Sequence, residues 1–176
     1  MTLDLGLLIL RVVVGLLVAG HGAQKLFGWF GGHGLAAMTG WLAALGLRPA
    51  RLWALIAGLA EFGGGLLLAL GLFHPLGPLA IIAVMLMAIA LVHRQALWIA
   101  DNGSEYCLVI ATVAAVLGLA GPGAYALDAQ LGISLPQPQT FWAGLVIALI
   151  GVAIGLLGRQ AAPSARVTPR SGATAA

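Results

Sequence analysis

Four ionisable side chains lie inside apolar stretches of this 176-residue chain, where no water solvates a charge. Arg11, His21 and Lys25 belong to the first apolar run, and Glu61 lies in the middle of the second. A charged group at the centre of a bilayer costs about 2.5–3.5 kcal/mol on insertion scales, so each needs a partner, a cavity or a function. A buried carboxyl either pairs with a cation or takes up a proton. The chemistry that these residues predict is hydrogen-bond donation and proton relay inside a membrane.

Helix geometry indicates how the three cations of the first run share a face. Lys25 returns to within about 40° of Arg11 around a helix axis, and His21 lies one turn before Lys25. All three fall in an arc of roughly 80°, which predicts a polar stripe facing the interior of a bundle. Gly63-Gly64-Gly65 follow Glu61 and allow a helix or ligand to approach closely. The three cations are therefore the candidate partners of Glu61.

His93 and Glu105 extend this set at the end of the third apolar run and the start of the fourth. Counted by helical rise, they lie at the same depth as His21 and Lys25, with Glu61 deeper. We predict one polar pocket that opens toward the cytoplasm and closes at Glu61. Two simpler interpretations remain: Lys25 can extend to lipid headgroups, and Glu105 can be an ordinary acid at a helix N-terminus. His21 and His93 could ligate a b-type haem, but lone histidines in spans are more often structural, so haem is disfavoured.

The composition places these residues in a polytopic membrane protein. Hydrophobic residues make up 61% of the chain and charged residues 7%, and the mean hydropathy is +1.07. A soluble domain would need far more solvated groups. The net charge of +3 forms no basic patch, which excludes nucleic acid as a partner. The single cysteine, Cys107, excludes an internal disulfide and a Cys-x-x-Cys pair, so redox chemistry would require a bound cofactor, and no metal site is predicted.

The apolar pattern predicts an all-α bundle of membrane-spanning helices. The chain contains no nucleotide-binding or hydrolase motif that would indicate a soluble enzyme. Apolar residues at helical spacing within 34–46 form a segment too short to cross a bilayer, which predicts a helix that lies at the membrane interface. A loop and fifth span are expected within 131–158, and a disordered cytoplasmic tail over 159–176. The predicted spans are 5–27, 52–73, 76–98, 105–120 and 141–157, with the interfacial helix at 34–46.

The distribution of cations predicts the orientation. With the N-terminus outside and the C-terminus in the cytoplasm, every cation but the buried Arg11 falls on the cytoplasmic side. Most tryptophans lie at that same interface, where their rings anchor a membrane protein. The cations placed in the cytoplasm are Lys25, Arg48, Arg51, Arg94, Arg159, Arg166 and Arg170.

Four motifs within residues 5 to 130 resemble the successive signatures of the DoxX family of bacterial membrane proteins. They are His21-Gly22-x-x-Lys25-Leu26-Phe27-Gly28-Trp29-Phe30-Gly31-Gly32-x-Gly34, Glu61-Phe62-Gly63-Gly64-Gly65-Leu66, Asn102-Gly103-Ser104-Glu105-Tyr106 and Gly121-Pro122-Gly123-Ala124-Tyr125-Ala126-Leu127-Asp128. The resemblance implies a four-helix membrane core over residues 1–130, to which this chain adds a fifth span. It also implies a bacterial inner-membrane protein.

The same resemblance implies an oxidoreductase role, because one relative is the small membrane subunit of a thiosulfate:quinone oxidoreductase and others associate with redox partners. The motif residues that it singles out are His21, Lys25, Glu61, Glu105 and Asp128. The predicted topology places Asp128 outside, near Arg11, and apart from the other four.

These observations lead to one main functional hypothesis and two alternatives. The main hypothesis is a membrane redox subunit that binds a quinone or a similar apolar carrier and works with a soluble or membrane redox protein. The first alternative is a transporter for a small solute or for protons. The second is a non-catalytic scaffold that recruits a soluble redox enzyme, with its buried ion pairs serving only the fold. The identity of the cofactor and the formation of a homo-oligomer stay open at this stage.

Overall fold

The computed structural model describes residues 1–160, and every regular element among them is helical. A single π turn, Ile89–His93, continues α4, and a short 3₁₀ turn spans Ile99–Asp101. The all-α fold class predicted from the sequence is therefore confirmed. The helices are α1 Thr2–Phe27, α2 Gly34–Ala44, α3 Ala50–Leu70, α4 Leu76–Ala88, α5 Glu105–Ala120, α6 Leu127–Leu131 and α7 Gln139–Leu157.

Four of these helices are long and apolar enough to cross a membrane: α1, α3, α4 with its π turn, and α7. The backbone of a lipid-exposed segment must satisfy its own hydrogen bonds, which is why these apolar runs are helical. α5 has 16 residues and a length of about 24 Å, slightly less than the hydrocarbon core of a bilayer. The bundle is thus that of a polytopic membrane protein in a lipid bilayer.

Small residues bring α1 and α3 together along most of their length. A β-carbon added at Gly15 would lie 2.6 Å from the Gly65 carbonyl oxygen and from the Ala69 nitrogen. Only glycine allows the two backbones to come this close, since any side chain would overlap the opposite helix. The contacts of α1 run in the opposite direction along α3, so the two helices are antiparallel.

The other long helices join the bundle through α3 and α4. α4 lies against α3, and both α5 and α7 pack against α4. Phe141 of α7 is 2% exposed and contacts α5 at Gly118. Ile81 of α4 and Ala114 of α5 are fully buried in the same apolar core. The C-terminal helix is therefore integrated into the bundle through α4.

The connections place two sets of polar residues at opposite ends of the bundle. We call one end the basic end, because it carries Lys25, Arg48, Arg51, Arg94 and Arg159. We call the other the Asp128 end; it contains the 71–75 turn and α6.

The segment predicted as a third span, 76–98, is helical only as far as His93. Residues beyond it turn back, because the backbone groups of Ala96 and Leu97 pair with the start of α5. Ser104 N donates to Ala96 O at 3.2 Å, and Glu105 N donates to Leu97 O at 2.8 Å. The prediction of a disordered tail concerns mainly residues 161–176, which lie outside the described residues.

Candidate functional site at the basic end

An ion pair between Lys25 and Glu61 joins the last turn of α1 to the middle of α3. Glu61 is only 2% exposed, whereas the Lys25 side chain keeps 28% of its surface accessible. Gly22 makes the approach feasible, because a β-carbon there would overlap the backbone of Phe62. Of the three cations that the sequence offered as partners for Glu61, the structure selects Lys25.

The pair leaves one oxygen of Glu61 unused. Lys25 Nζ donates to Oε1, while Oε2 is buried and has no hydrogen-bond partner among residues 1–160. A buried carboxylate oxygen without a donor loses its hydration and gains nothing in return. Oε2 is therefore a buried acceptor without a donor, next to a lysine that lines a cavity which Glu61 itself does not line.

Lys25 also faces a cavity of about 440 Å³ beneath the loop that follows α1. Gly28, Gly31 and Gly34 have φ angles of 75°, 79° and 74°, a left-handed conformation that lets the loop fold back over the helix end. Backbone and small residues of this loop form one wall, and Met38 and Trp41 of α2 form another. The cavity thus combines a cation with an apolar wall that can accept a flat ring.

A chain of hydrogen bonds runs beside this cavity from the loop to α5. Gln24 Nε2 donates to the Phe30 carbonyl oxygen at 3.2 Å. Because a carbonyl only accepts, the amide nitrogen must point to Phe30, which leaves Gln24 Oε1 facing His21 Nδ1 at 3.1 Å. His21 Nδ1 then carries the proton, and His21 Nε2 accepts from the Tyr106 hydroxyl at 3.1 Å. The chain thus connects the loop after α1 with α5 through His21.

His21 does not lie where the stripe of cations predicted it. Its side chain is exposed on the outer surface of α1, whereas Arg11 is buried at 3% exposure and Lys25 is partly buried. The expectation that all three face the bundle interior is wrong for His21. The reason is that Tyr106 and Gln24 lie on that outer surface and supply its hydrogen-bond partners.

His93 and Glu105 are at the basic end, but their hydrogen bonds are not with the ion pair. His93 Nδ1 donates to the Asn102 carbonyl oxygen at 2.8 Å, and the Ile99 amide donates to Glu105 Oε1 at 2.9 Å. Both side chains therefore stabilise the connection between α4 and α5 through hydrogen bonds to its backbone. The structure brings together Lys25 and Glu61, and it leaves His93 and Glu105 as neighbours on this connection.

The two secondary candidates, Arg11 and Asp128, meet near Gly71 at the Asp128 end. Arg11 Nη1 donates to Ala69 O at 3.2 Å, and Nη2 donates to Tyr125 O. The Asp128 carboxylate accepts from the backbone amides of Phe73 at 2.9 Å and His74 at 2.8 Å. These two charges therefore bind backbone groups at the opposite end from the Lys25 cavity.

His74, which the sequence analysis did not select as a candidate, is buried at 8% exposure. Its Nε2 donates to the Gly118 carbonyl oxygen at 3.1 Å, which ties the α3–α4 turn to α5. Burial lowers the pKa of His74, and the Gly118 hydrogen bond and the Asp128 charge only partly oppose that change. Tyr106 and Gln24 were also not singled out, although both lie within the quoted motifs.

Among residues 1–160 the structure has no cluster of three or more His, Cys, Asp or Glu side chains able to hold a metal ion. Cys107 is free and buried in α5.

Comparison with known proteins gives one match. No curated protein and no solved structure matches the chain. The DoxX family model matches residues 6–94. The matched region contains α1 from residue 6 onward and all of α2, α3 and α4, and with them both members of the Lys25–Glu61 pair. Together with the apolar helical bundle, this match over half of the chain shows that the protein belongs to the DoxX family of membrane proteins.

Proposed function

We propose that this protein is a membrane subunit of a redox system and binds a quinone or a similar apolar redox carrier beside Lys25. The observation that carries the proposal is the buried Lys25–Glu61 pair, whose Oε2 lacks a partner and whose lysine faces a cavity. A charge pair that served only the fold would be expected to use all its oxygens. Lys25 also has donors to spare at the wall of the cavity, where a ligand could use them.

Different residues at this site would bind the carrier and supply its proton. An ammonium group has three donors, and Lys25 uses only one of them on Glu61, so another can bind a carbonyl oxygen of the carrier. The ring would lie against Trp41 and Met38. A quinone becomes a quinol when each carbonyl oxygen gains an electron and a proton. Glu61 would relay the proton, and a partner redox protein would supply the electrons.

The same proposal includes an orientation. We place the basic end in the cytoplasm, the N-terminus outside and the protein in a bacterial inner membrane, because lysine and arginine favour the cytoplasmic side. A soluble partner would then reach the carrier from the basic end. Residues 1–130 would form the DoxX-like unit, with α7 as an addition. A C-terminal reporter active outside the cell would contradict this orientation.

Quinone binding to the purified protein in mild detergent tests the proposal. We expect a short-chain ubiquinone analogue to quench Trp41 fluorescence in a background variant that keeps Trp41 and replaces the other tryptophans with phenylalanine. Glu61→Gln and Lys25→Gln in that background should each weaken binding by about ten- to a hundredfold, since a hydrogen bond to a charged group contributes about 1.5–3 kcal/mol. Arg94→Gln, also at the basic end, is the matched control and should bind as the unmodified background does.

Two results would overturn the proposal. The first is that the analogue does not bind although the helical circular dichroism signal shows a folded bundle. The second is equal binding by the background protein and both pocket variants. Solute flux in proteoliposomes that is abolished by Glu61→Gln would instead establish transport. A stable soluble partner that binds all variants equally would establish a scaffold.

A further inference from the structure

A second cavity lies on a different part of the basic end, between α3, α4 and α7. Its volume is about 300 Å³, and the C-terminal end of α2 closes one side. Every side chain that lines it is apolar apart from the Trp53 indole nitrogen, which donates to the Arg48 carbonyl oxygen at 3.3 Å. Such a cavity would take a hydrocarbon chain. Residues from the four helices that line it include Leu42, Trp53, Ala57, Met87, Gly151 and Val152.

Two arginines are fixed beside this cavity by the turn between α2 and α3. Arg48 Nη1 donates to the carbonyl oxygens of Ala43 and Leu47, each at 3.2 Å. Arg159, just past the end of α7, donates from Nε to the Leu45 carbonyl oxygen at 3.0 Å. The Leu47 side chain itself lines the cavity. The same short turn therefore borders the apolar cavity and holds two guanidinium groups.

These arginines keep most of their donors for a further partner. A guanidinium has five N–H donors, and Arg48 engages one nitrogen and Arg159 another. Neither arginine has a carboxylate partner among residues 1–160. Arg51 is exposed in the first turn of α3, whose N-terminus adds partial positive charge. The mouth of the cavity is therefore positive and suited to a phosphate.

We propose that this site binds an anionic phospholipid, with one acyl chain in the 300 Å³ cavity and the headgroup phosphate on Arg48 and Arg159. The apolar lining selects the chain, and the guanidinium groups select the negative headgroup. The lipid would hold the end of α7 against the α2–α3 turn. These two segments are already joined by a hydrogen bond in which Gln160 N donates to the Gly46 carbonyl oxygen at 2.9 Å. The site shares no lining residue with the Lys25 cavity, so it does not depend on the proposed redox function.

Native mass spectrometry of the full-length protein tests this site with defined lipids. The protein is delipidated in detergent and titrated with dioleoyl phosphatidylglycerol or with zwitterionic dioleoyl phosphatidylcholine. We expect the unmodified protein to retain one phosphatidylglycerol in preference to phosphatidylcholine. The double variant Arg48→Gln/Arg159→Gln should lose about thirtyfold in affinity for phosphatidylglycerol, because each arginine near an anionic lipid contributes about a factor of five. Arg94→Gln removes one arginine charge at the same end of the bundle but away from the cavity, and it should keep the preference.

A second variant fills the cavity without touching the charges. A β-carbon at Gly151 would meet no atom within 4 Å, so this position in the cavity wall has room for a side chain, and Gly151→Leu adds a branched one there. We expect it to exclude the acyl chain and abolish retention. Gly6→Leu, at an equally open position on α1, controls for the glycine-to-leucine change in a helix.

Equal retention of both lipids by all variants would overturn the lipid site. So would displacement of phosphatidylglycerol by the ubiquinone analogue, because the cavity would then belong to the carrier. A failure of quinone binding would not affect this test, because the lipid titration uses a different ligand and different variants from the quinone titration.

Discussion

The two ends of the bundle solve the problem of intramembrane charge in different ways. At the Asp128 end, Arg11 and Asp128 bind backbone carbonyls and amides around the 69–74 region. At the basic end, Lys25 and Glu61 bind each other and leave Glu61 Oε2 without a partner beside a cavity-lining lysine. The first arrangement stabilises turns and helix ends, and the second has capacity for a ligand. Burial of a charge alone therefore does not identify a functional residue, and neither does one unused polar atom, because Arg11 Nε is also buried without a partner among residues 1–160. The Lys25–Glu61 pair differs because its lysine lines a cavity of about 440 Å³.

The largest expected effect comes from removing the cation of the buried pair. Lys25→Met leaves Glu61 buried without its partner or forces it to bind a proton. We expect a loss of about 3 kcal/mol in the free energy of unfolding, at the lower end for buried pairs because Lys25 is partly exposed. Unfolding by denaturant in detergent measures it. The double variant Lys25→Met/Glu61→Gln should recover part of the loss; no recovery would show that the two charges do not interact.

A somewhat smaller effect is expected from Asp128→Ala. This change removes two hydrogen bonds, to the amides of Phe73 and His74. Because Phe73 is exposed, water can replace the bond to its amide, and the expected cost is about 2–3 kcal/mol. Quinone binding by the folded protein should stay unchanged, in contrast to Glu61→Gln. The comparison of the two ends fails if Asp128→Ala abolishes binding while the bundle remains folded.

His74 should make the stability of the Asp128 end depend on pH. Its pKa in the folded protein is lowered by burial from the usual 6.5. The unfolded chain therefore binds the proton more readily, so stability is highest above pH 6.5 and falls as the pH drops below that value. His74→Gln keeps a donor for Gly118 without titrating. Histidine titrates between about pH 5 and 8, and over this range the melting temperature of the variant should depend on pH less than that of the unmodified protein. An equal dependence in both proteins would show that His74 is not the group responsible.

The smallest effect is expected on the exposed hydrogen-bond chain of the basic end. Gln24→Ala removes the acceptor that holds the proton on His21 Nδ1. We expect a change of less than about 0.5 kcal/mol in stability, as for most surface substitutions. Nitrogen NMR of histidine-labelled protein should nevertheless show a shift of His21 toward the Nε2-protonated tautomer. An unchanged His21 spectrum would mean that Gln24 does not set the tautomer.

Individual residues show how far sequence reasoning reaches. Glu61 was identified because a carboxyl between glycines in an apolar run is costly wherever the neighbouring helices lie. His21 was placed inside the bundle because an arc of about 80° was treated as one face. In the folded protein that arc spans the boundary between the interior and the outer surface, where Tyr106 and Gln24 are located. His74 was overlooked because its burial depends on α5, a remote segment of the chain.

The sequence by itself determined that the chain forms apolar helices in a membrane, where Glu61 must be buried, and that its motifs are those of the DoxX family. The first two properties follow from composition and local hydrogen bonding, which require no knowledge of neighbouring helices. The third follows from the resemblance of the motifs to those of the family. Only the tertiary structure decided that Lys25 pairs with Glu61, that Arg11 binds carbonyls instead, and that an apolar cavity lies beside Arg48. Those outcomes depend on how helices rotate and slide against each other. Close contacts such as Gly22 against Phe62 set that packing, and no single helix contains both sides of the contact.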